Sequence, residues 1–235
     1  MIAVLADSHL GPSEGDVAPF LRALAEIRSR GATALYLLGD VFHYLVADPK
    51  FSTPGLTAFL RGVREFRAGG GRVVYVEGNR DFFLRGSYLE HEFDTVAERA
   101  TFRAGPRSFF LTHGDTINER DWPYRFWRFA SKNRVSWVVM KLLPRSVANR
   151  FVASMERRLA DTNFRHKSRL PVELIGRFAG RRFEEGHDVV LLGHFHESWR
   201  AELPGGTAEI VPPFLEEKSW LEIDEAGTTS RARLA

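Results

Sequence analysis

The 235-residue chain contains no cysteine, which excludes a disulfide framework, a thiolate nucleophile and any thiolate-held zinc site. A metal would have to be held by histidine, aspartate, glutamate or asparagine. Long apolar runs are missing as well. The longest one beyond the amino terminus, Val135 to Leu143, is interrupted by Ser136 and Lys141, and it falls well short of the ~20 residues a membrane span needs. Met1–Ala6 has no basic flank and its apolar run stops at Asp7, so no secretory leader is expected there. The expectation is a soluble chain that meets a membrane, if at all, from one side. Hydrophobic residues at 44% and charged residues at 27% exclude a disordered or fibrous chain. The length suits one large domain, or one domain carrying an insertion.

The net charge of +3 hides an uneven distribution. From Arg120 to Arg169 there are thirteen Lys/Arg against Asp121, Glu156 and Asp161, giving +10 in that stretch (13 − 3) and −7 elsewhere (3 − 10). The same stretch carries Trp122, Tyr124, Phe126, Trp127, Phe129, Trp137, Phe151 and Phe164 at helical spacing. We read residues 120–170 as a basic, aromatic, helical lid inserted into an α/β core made of 1–119 and 171–235. Most charge runs are solvated helical faces. Aromatics interleaved with the cations favour a surface that grips anions and apolar groups together.

Ahead of the insertion, short β-branched runs alternate with helical patterns. Strands are expected at Ile2–Ala6, Ala34–Leu38 and Arg72–Val76, with helices at Ala18–Arg30 and Leu56–Ala68 between them. This alternation argues for a largely parallel sheet covered by helices. Further strands are expected at Ser108–Thr112, Asp188–Leu192, Glu197–Leu203, Ala208–Val211 and near Ser219–Ile223. The last of these lie close together, as antiparallel additions would.

Five polar clusters sit where strands should end: Asp7-Ser8-His9, Gly39-Asp40, Gly78-Asn79-Arg80-Asp81, His113-Gly114-Asp115 and Gly193-His194-Phe195-His196. Ligands of open α/β sheets bind outside the carboxyl ends of the strands, so the five clusters are expected to converge. Singly, each is common: an Asp-x-His arises by chance, a Gly-Asp is often a turn, and a lone buried histidine is more often a satisfied core residue than a ligand. Their order and placement together are what carry weight.

This order resembles that of the calcineurin-like metallophosphoesterase superfamily: D-x-H, GD, GN[HR][DE], HGD and GHxH. The resemblance implies a β-sandwich core of mixed sheets flanked by helices, and two metal sites. One metal would be held by Asp7, His9 and His196, the other by Asn79, His113 and His194, with Asp40 bridging. Asp40, Asn79, Arg80 and His113 form the implied catalytic set. Carboxylate, amide and imidazole donors suit two divalent ions, Mn²⁺ first, with Fe²⁺ or Zn²⁺ as alternatives. Two such ions roughly 3.5–4 Å apart can clamp phosphoryl oxygens and ready a water for attack. Asp81 and Asp115 are candidates to orient the ligating imidazoles.

Arg80 narrows the chemistry. Many superfamily members have histidine after the asparagine, able to protonate a departing alkoxide. Arginine does not release its proton, so a leaving group already stable as an anion is expected, such as the phosphate freed from a pyrophosphate bond, with Arg80 neutralising charge. Within the superfamily, Gly78–Phe82 with His113–Thr116 resembles the UDP-2,3-diacylglucosamine diphosphatases of lipid A biosynthesis. Trp137, Leu143-Pro144, Arg150 and Met155 match the helical lid of that family, and Asn163 with His166-Lys167-Ser168 its polar lid segment. The implied reaction is water attack on the α-phosphorus, giving UMP and 2,3-diacylglucosamine 1-phosphate. Candidate substrate contacts are Arg80, Asn163, Lys167, Trp137 and Tyr124.

The implied partners are a UDP-linked acylated sugar and the inner, cytoplasmic face of the cell membrane, met peripherally, with no nucleic acid. The chain departs from the family at His43-Tyr44, where an acid and an aromatic pair are usual. It departs again after the last histidine motif, where Arg200 could replace a missing basic residue, and in the Pro212–Lys218 tail. His43 reads as a neighbour of the ligands, and His91, His166 and His187 as surface residues. Two other readings stay open: a metal-dependent phosphodiesterase or nuclease acting on nucleic acid or nucleotide diesters, since basic and aromatic residues also suit single strands, and a scaffold that keeps the fold without metals. Against the scaffold, all seven ligand positions are filled.

Overall fold

The computed structural model describes residues 1–147, 150, 154 and 170–234. Two sheets lie face to face. Strand β1 (Ile2–Leu5) is followed by helix α1 (Glu14–Ser29), β2 (Ala34–Leu38), the short β3 (Leu45–Val46), α2 (Pro54–Ala68), β4 (Arg72–Val76) and the short β5 (Asp81–Phe82). Next come β6 (Thr95–Ala97), β7 (Arg99–Ala104), β8 (Arg107–Thr112), α3 (Trp122–Ser131) and α4 (Arg134–Leu142). Beyond these lie α5 (Val172–Glu184), β9 (Val189–Leu192), β10 (Trp199–Leu203), β11 (Gly206–Ile210), a one-turn α6 (Phe214–Glu217), β12 (Ser219–Ile223) and β13 (Thr229–Arg233).

The first sheet has the order β13-β12-β1-β2-β4-β6, the second β10-β11-β9-β8-β7, and β3 pairs with β5. Strands β1, β2, β4 and β6 run parallel; β12 pairs antiparallel with β1, and β13 antiparallel with β12. In the second sheet β8, β9 and β11 are parallel, with β7 and β10 antiparallel at its edges. The single, largely parallel sheet expected from the alternation is therefore two mixed sheets, as the family resemblance implies.

Period-2 geometry explains how both faces of each sheet are buried. On β1, Val4 points between the sheets, where it meets Tyr36, Leu38, Val74, Phe109, Leu111 and Leu191. Its neighbours Ala3 and Leu5 face α1 and α2, among Val17, Phe20, Ile27, Phe59 and Val63. On the far side, Phe110, Val190, Leu192 and Ile210 pack under Ile175 and Ala179 of α5. The layers thus run helices, sheet, sheet, helix. Each fully buried large side chain stabilises this arrangement by roughly 1.5–3 kcal/mol.

Differences from the sequence reading have local causes. Helix α1 starts four residues before Ala18 because Ser13 and Asp16 form a capping box: Ser13 Oγ accepts from the Asp16 amide at 3.2 Å and Asp16 Oδ2 from the Ser13 amide at 2.9 Å. Helix α2 starts at Pro54, pre-set for a first turn and capped by Thr53. The sequence pattern does not announce strands β6, β7 and β13 or helix α5. Strand β7 alternates exposed Arg99, Thr101 and Arg103 with more buried Ala100, Phe102 and Ala104, and its three exposed polar positions mask the pattern. Helix α5 contains Gly176 and Gly180 and is rich in arginine, which dilutes its apolar stripe.

Candidate metal centre

All five polar clusters leave the carboxyl ends of parallel strands: β1, β2 and β4 of one sheet, β8 and β9 of the other. Their backbones are stitched to one another. The amides of Asp7 and His9 donate to the carbonyls of Gly39 and Asp40 at 3.3 and 3.0 Å. Asp7 Oδ2 accepts from the His194 amide at 2.8 Å, and Asp40 Oδ1 from the Arg80 amide at 2.9 Å. Asp81 is the keystone of the 78–81 loop: its Oδ2 accepts from the amides of Gly78 at 2.7 Å and Asp40 at 3.1 Å, and its Oδ1 from the Tyr75 hydroxyl at 2.8 Å.

The turns are sharp enough to strain the backbone. Among the described residues, seven other than glycine have positive φ, and five of them are candidate ligands: Asp7 (49°), His9 (41°), Asp40 (51°), His194 (73°) and His196 (53°). Each costs on the order of 1–3 kcal/mol, and such residues cluster at functional sites. Gly39 has φ 79°, and a Cβ there would lie 2.5 Å from His113 Nδ1 and 2.7 Å from Gly78 Cα. Only glycine fits between the two loops.

The seven expected ligands gather into two adjoining donor clusters. In the first, His9 Nε2 and His196 Nε2 approach to 3.0 Å and lie 3.8 and 3.6 Å from Asp7 Oδ1. In the second, Asn79 Oδ1 lies 3.0 Å from His113 Nε2 and 3.1 Å from His194 Nδ1. Asp40 Oδ1 stands 3.5 Å from His113 Nε2, and Asp7, Asp40 and His113 can each turn a donor atom to within 4.8 Å of the others, so Asp7 and Asp40 lie where the clusters meet.

The residues fit a pair of cations. Asp7 Oδ1 is buried without a hydrogen-bond partner, a costly state unless a positive charge faces it. His113 Nδ1 lies 2.9 Å from the Leu38 carbonyl, which can only accept, so Nδ1 keeps its proton and Nε2 is the nitrogen turned to the cluster. Burial raises Asp7, and it raises Asp40 to about 6, which the positive His113 partly offsets. Burial and the neighbouring His196 push His9 far down, and burial with His113 brings His194 down to about 3. His9 and His194 are therefore neutral, as metal ligands must be. Burial also works to lower His113, but Asp40, Asp7 and Asp115 outweigh it and hold it above its usual value. Buried carboxylates that His113 compensates only in part, beside the neutral imidazoles of His9 and His194, make a donor set able to hold divalent cations.

Arg80 is beside this centre. Its Nε is 3.4 Å from Asp40 Oδ2, its guanidinium carbon 5.7 Å from the centre of the Tyr44 ring, and Nη1 donates to the His43 carbonyl at 3.3 Å. Exposed His43 stacks on His9 at 5.7 Å. Next to Arg80 opens an apolar cleft of about 370 Å³, walled by Tyr44, Val46, Phe82 and Phe83 on the core side and by Trp127, Val135, Val139, Met140 and Leu143 on the α3–α4 side.

The helix pair is fastened to the loops that carry the two donor clusters. The Tyr124 hydroxyl and Arg128 Nη1 both reach Asp115 Oδ2 at 2.5 Å. Lys132 Nζ donates to the Gly78 carbonyl at 2.5 Å. Lys50 Nζ donates to the carbonyls of Met140, Lys141 and Leu143 at 2.8, 2.8 and 3.0 Å, closing the carboxyl end of α4, where a cation is favoured.

Several expected roles fall elsewhere. Asp81 and Asp115 hold loops and helices rather than hydrogen-bonding to a ligating imidazole; Leu38 and Glu216 do that, Glu216 Oε1 lying 2.9 Å from His196 Nδ1. Tyr124 faces Asp115. Trp137 carries Lys141 over its ring at 4.8 Å and is not part of the cleft wall, where Trp127 stands instead. Arg200 pairs with Glu202 and Glu209 on the second sheet. His187 is half-buried, 3.0 Å from Ser108 Oγ. Asn163, Lys167, Met155 and His166 lie outside the described residues. Sequence reading missed Glu216, Lys132 and Lys50; a carboxylate or lysine among many similar ones carries no local signal.

Comparison with known proteins places the chain. The family of calcineurin-like phosphoesterases matches residues 1–198. A UDP-2,3-diacylglucosamine hydrolase of Pseudomonas putida is 31% identical over 145 residues, 61% of this chain and 60% of that one. The chain thus matches about three fifths of the length of that relative. A protein of the same name from Pseudomonas syringae pv. tomato is 26% identical over 97% of this chain and 93% of its own. A hypothetical protein from Pyrococcus horikoshii shares the fold with a TM-score of 0.56 at 12% identity, over 100% of this chain and 88% of that one. With the five clusters converged and the family matched along most of its length, the chain belongs to the calcineurin-like phosphoesterases.

Proposed function

We propose that the protein hydrolyses the pyrophosphate bond of UDP-2,3-diacylglucosamine, a step of lipid A biosynthesis. Water attacks the α-phosphorus, the bond from that phosphorus to the bridging oxygen breaks, and the products are UMP and 2,3-diacylglucosamine 1-phosphate. The observation that carries this reading is the contact between Arg80 and Tyr44, 5.7 Å from guanidinium carbon to ring centre. Tyr44 also walls the apolar cleft, so a cation for phosphate and a slot for acyl chains adjoin beside the two donor clusters. A diphosphate carrying two acyl chains has that same succession of charge and hydrocarbon.

Asp7, His9 and His196 would hold one divalent ion and Asn79, His113 and His194 the other, with Asp40 between them. Such ions supply Lewis acidity and lower the pKa of water, and a donor set of carboxylate, amide oxygen and imidazole without thiolate accepts Mn²⁺ as well as Fe²⁺ or Zn²⁺. Arg80 neutralises the phosphate that departs; no proton need be delivered to it. The reaction would take place at the cytoplasmic face of the cell membrane, approached from one side. Among the described residues no helix is long and apolar enough to cross a membrane. Trp122, Phe126 and Phe129 of α3 and Leu142 of α4 are each more than 70% exposed, among exposed Arg120, Arg125, Arg134 and Lys141. That mixture suits an anionic lipid surface.

The test is to load the purified protein with Mn²⁺ and offer UDP-2,3-diacylglucosamine, UDP-glucose, an aryl phosphodiester and single-stranded DNA. UMP released fastest from the diacylated sugar is expected. Faster cleavage of DNA or of the diester would overturn this reading in favour of a nucleic-acid or nucleotide diesterase.

A further inference from the structure

Lys132 ends helix α3, in the segment between the cleft and the loops that carry the two donor clusters. Its ammonium donates to the Gly78 carbonyl at 2.5 Å and lies 5.2 Å from the centre of the Phe82 ring. Gly78 is held on its other side by Asp81, which accepts from its amide at 2.7 Å. The next residue, Asn79, places Oδ1 between His113 and His194, and the one after it, Arg80, meets Asp40.

Lys132 in turn is fixed by α3, which Tyr124 and Arg128 fasten to Asp115. Phe82 meets Trp127 of the same helix edge-on at 6.3 Å. One side chain therefore joins the cleft wall to the peptide that aims Asn79. An ammonium whose one hydrogen-bond partner among the described residues is this carbonyl fixes the carbonyl's orientation through a charge-assisted hydrogen bond.

We infer that Lys132 is a positioning residue, which holds the Gly78–Asp81 loop so that Asn79 completes the second donor cluster in register with the cleft. This rests on the dinuclear reading of the site, though not on the identity of the substrate. The first cluster, Asp7 with His9 and His196, has no contact with Lys132, so the effect should fall on one metal of two.

The experiment is a calorimetric Mn²⁺ titration of the full-length metal-free protein, with Asn79→Ala marking which affinity belongs to the second cluster. Lys132→Met should weaken that affinity by about tenfold to a hundredfold, the range for residues that orient ligands, leave the other affinity within twofold, and keep the melting temperature of the metal-free protein. Lys132→Arg, which retains a donor, should restore most of the loss. Wild-type affinities in Lys132→Met would overturn the inference, as would an equal fall in both affinities with a lowered melting temperature. A wild type that binds a single Mn²⁺ would overturn the dinuclear reading itself, an outcome distinct from two intact affinities in the variant. The selective pattern supports the inference even if no UDP-sugar is hydrolysed.

Discussion

His196 Nδ1 and Glu216 Oε1 lie 2.9 Å apart, joining the second histidine of the Gly193–His196 loop to a one-turn helix twenty residues later. A carboxylate only accepts, so the ring keeps its proton on Nδ1 and turns the Nε2 lone pair toward Asp7 and His9. In the second cluster the corresponding partner of His113 is a neutral carbonyl, that of Leu38. The two donor sets are therefore electronically unequal. Glu216→Gln should weaken Mn²⁺ binding at the first cluster by about tenfold to a hundredfold. The same calorimetric titration checks this, and unchanged affinities would remove Glu216 from the site.

Asp40 belongs to both clusters, whereas Arg80 is a neighbour of them. Asp40→Ala should abolish hydrolysis and lower metal content; Arg80→Ala should keep both metals and lose about 10²–10³ in kcat, the usual cost of removing one stabiliser of developing charge. Metal analysis beside steady-state kinetics separates the two. Full activity in Asp40→Ala would refute the ligand assignment.

Metal affinity should fall in acid. Asp40 titrates near 6 in the metal-free site because burial disfavours its charge, and a cation binds only the carboxylate. Below that pH filling the site must displace the Asp40 proton, so apparent affinity should drop about tenfold per pH unit for that one proton. Mn²⁺ titrations at pH 5.0, 6.0 and 7.5 measure the slope; equal affinity at pH 5.0 and 6.0 would contradict it.

Gly39→Ala should be poorly tolerated. The position combines φ 79° with a space too small for a methyl group beside His113 and Gly78. A loss of about 2–4 kcal/mol in folding stability is expected from backbone strain and a displaced loop, read from urea unfolding of the metal-free protein.

The exposed aromatics of α3 should matter for lipid surfaces and not for chemistry. Combined Phe126→Ser and Phe129→Ser should cut co-sedimentation with anionic vesicles several-fold while leaving hydrolysis of a water-soluble diester intact. Undiminished sedimentation would show that another surface meets the lipid.

The residues that the structure gathers into the two donor clusters are legible in the chain itself. Asp7, His9, Asp40, Asn79, His113, His194 and His196 each follow an apolar run that must be a strand, and short motifs at strand ends are local features of the chain. Over its described part, residues 120–142, the basic and aromatic composition likewise marks where exposed apolar and cationic groups lie together. What only the tertiary structure decided depends on distance between remote segments. It divided the strands into two facing sheets, because a run buried on both faces reads the same in one sheet or in two. It drew Glu216 to His196 and Lys132 to Gly78 across twenty and fifty-four positions, and put Trp127 rather than Trp137 on the cleft wall. Side-chain partners of that kind are set by how layers pack, and packing has no period along the sequence.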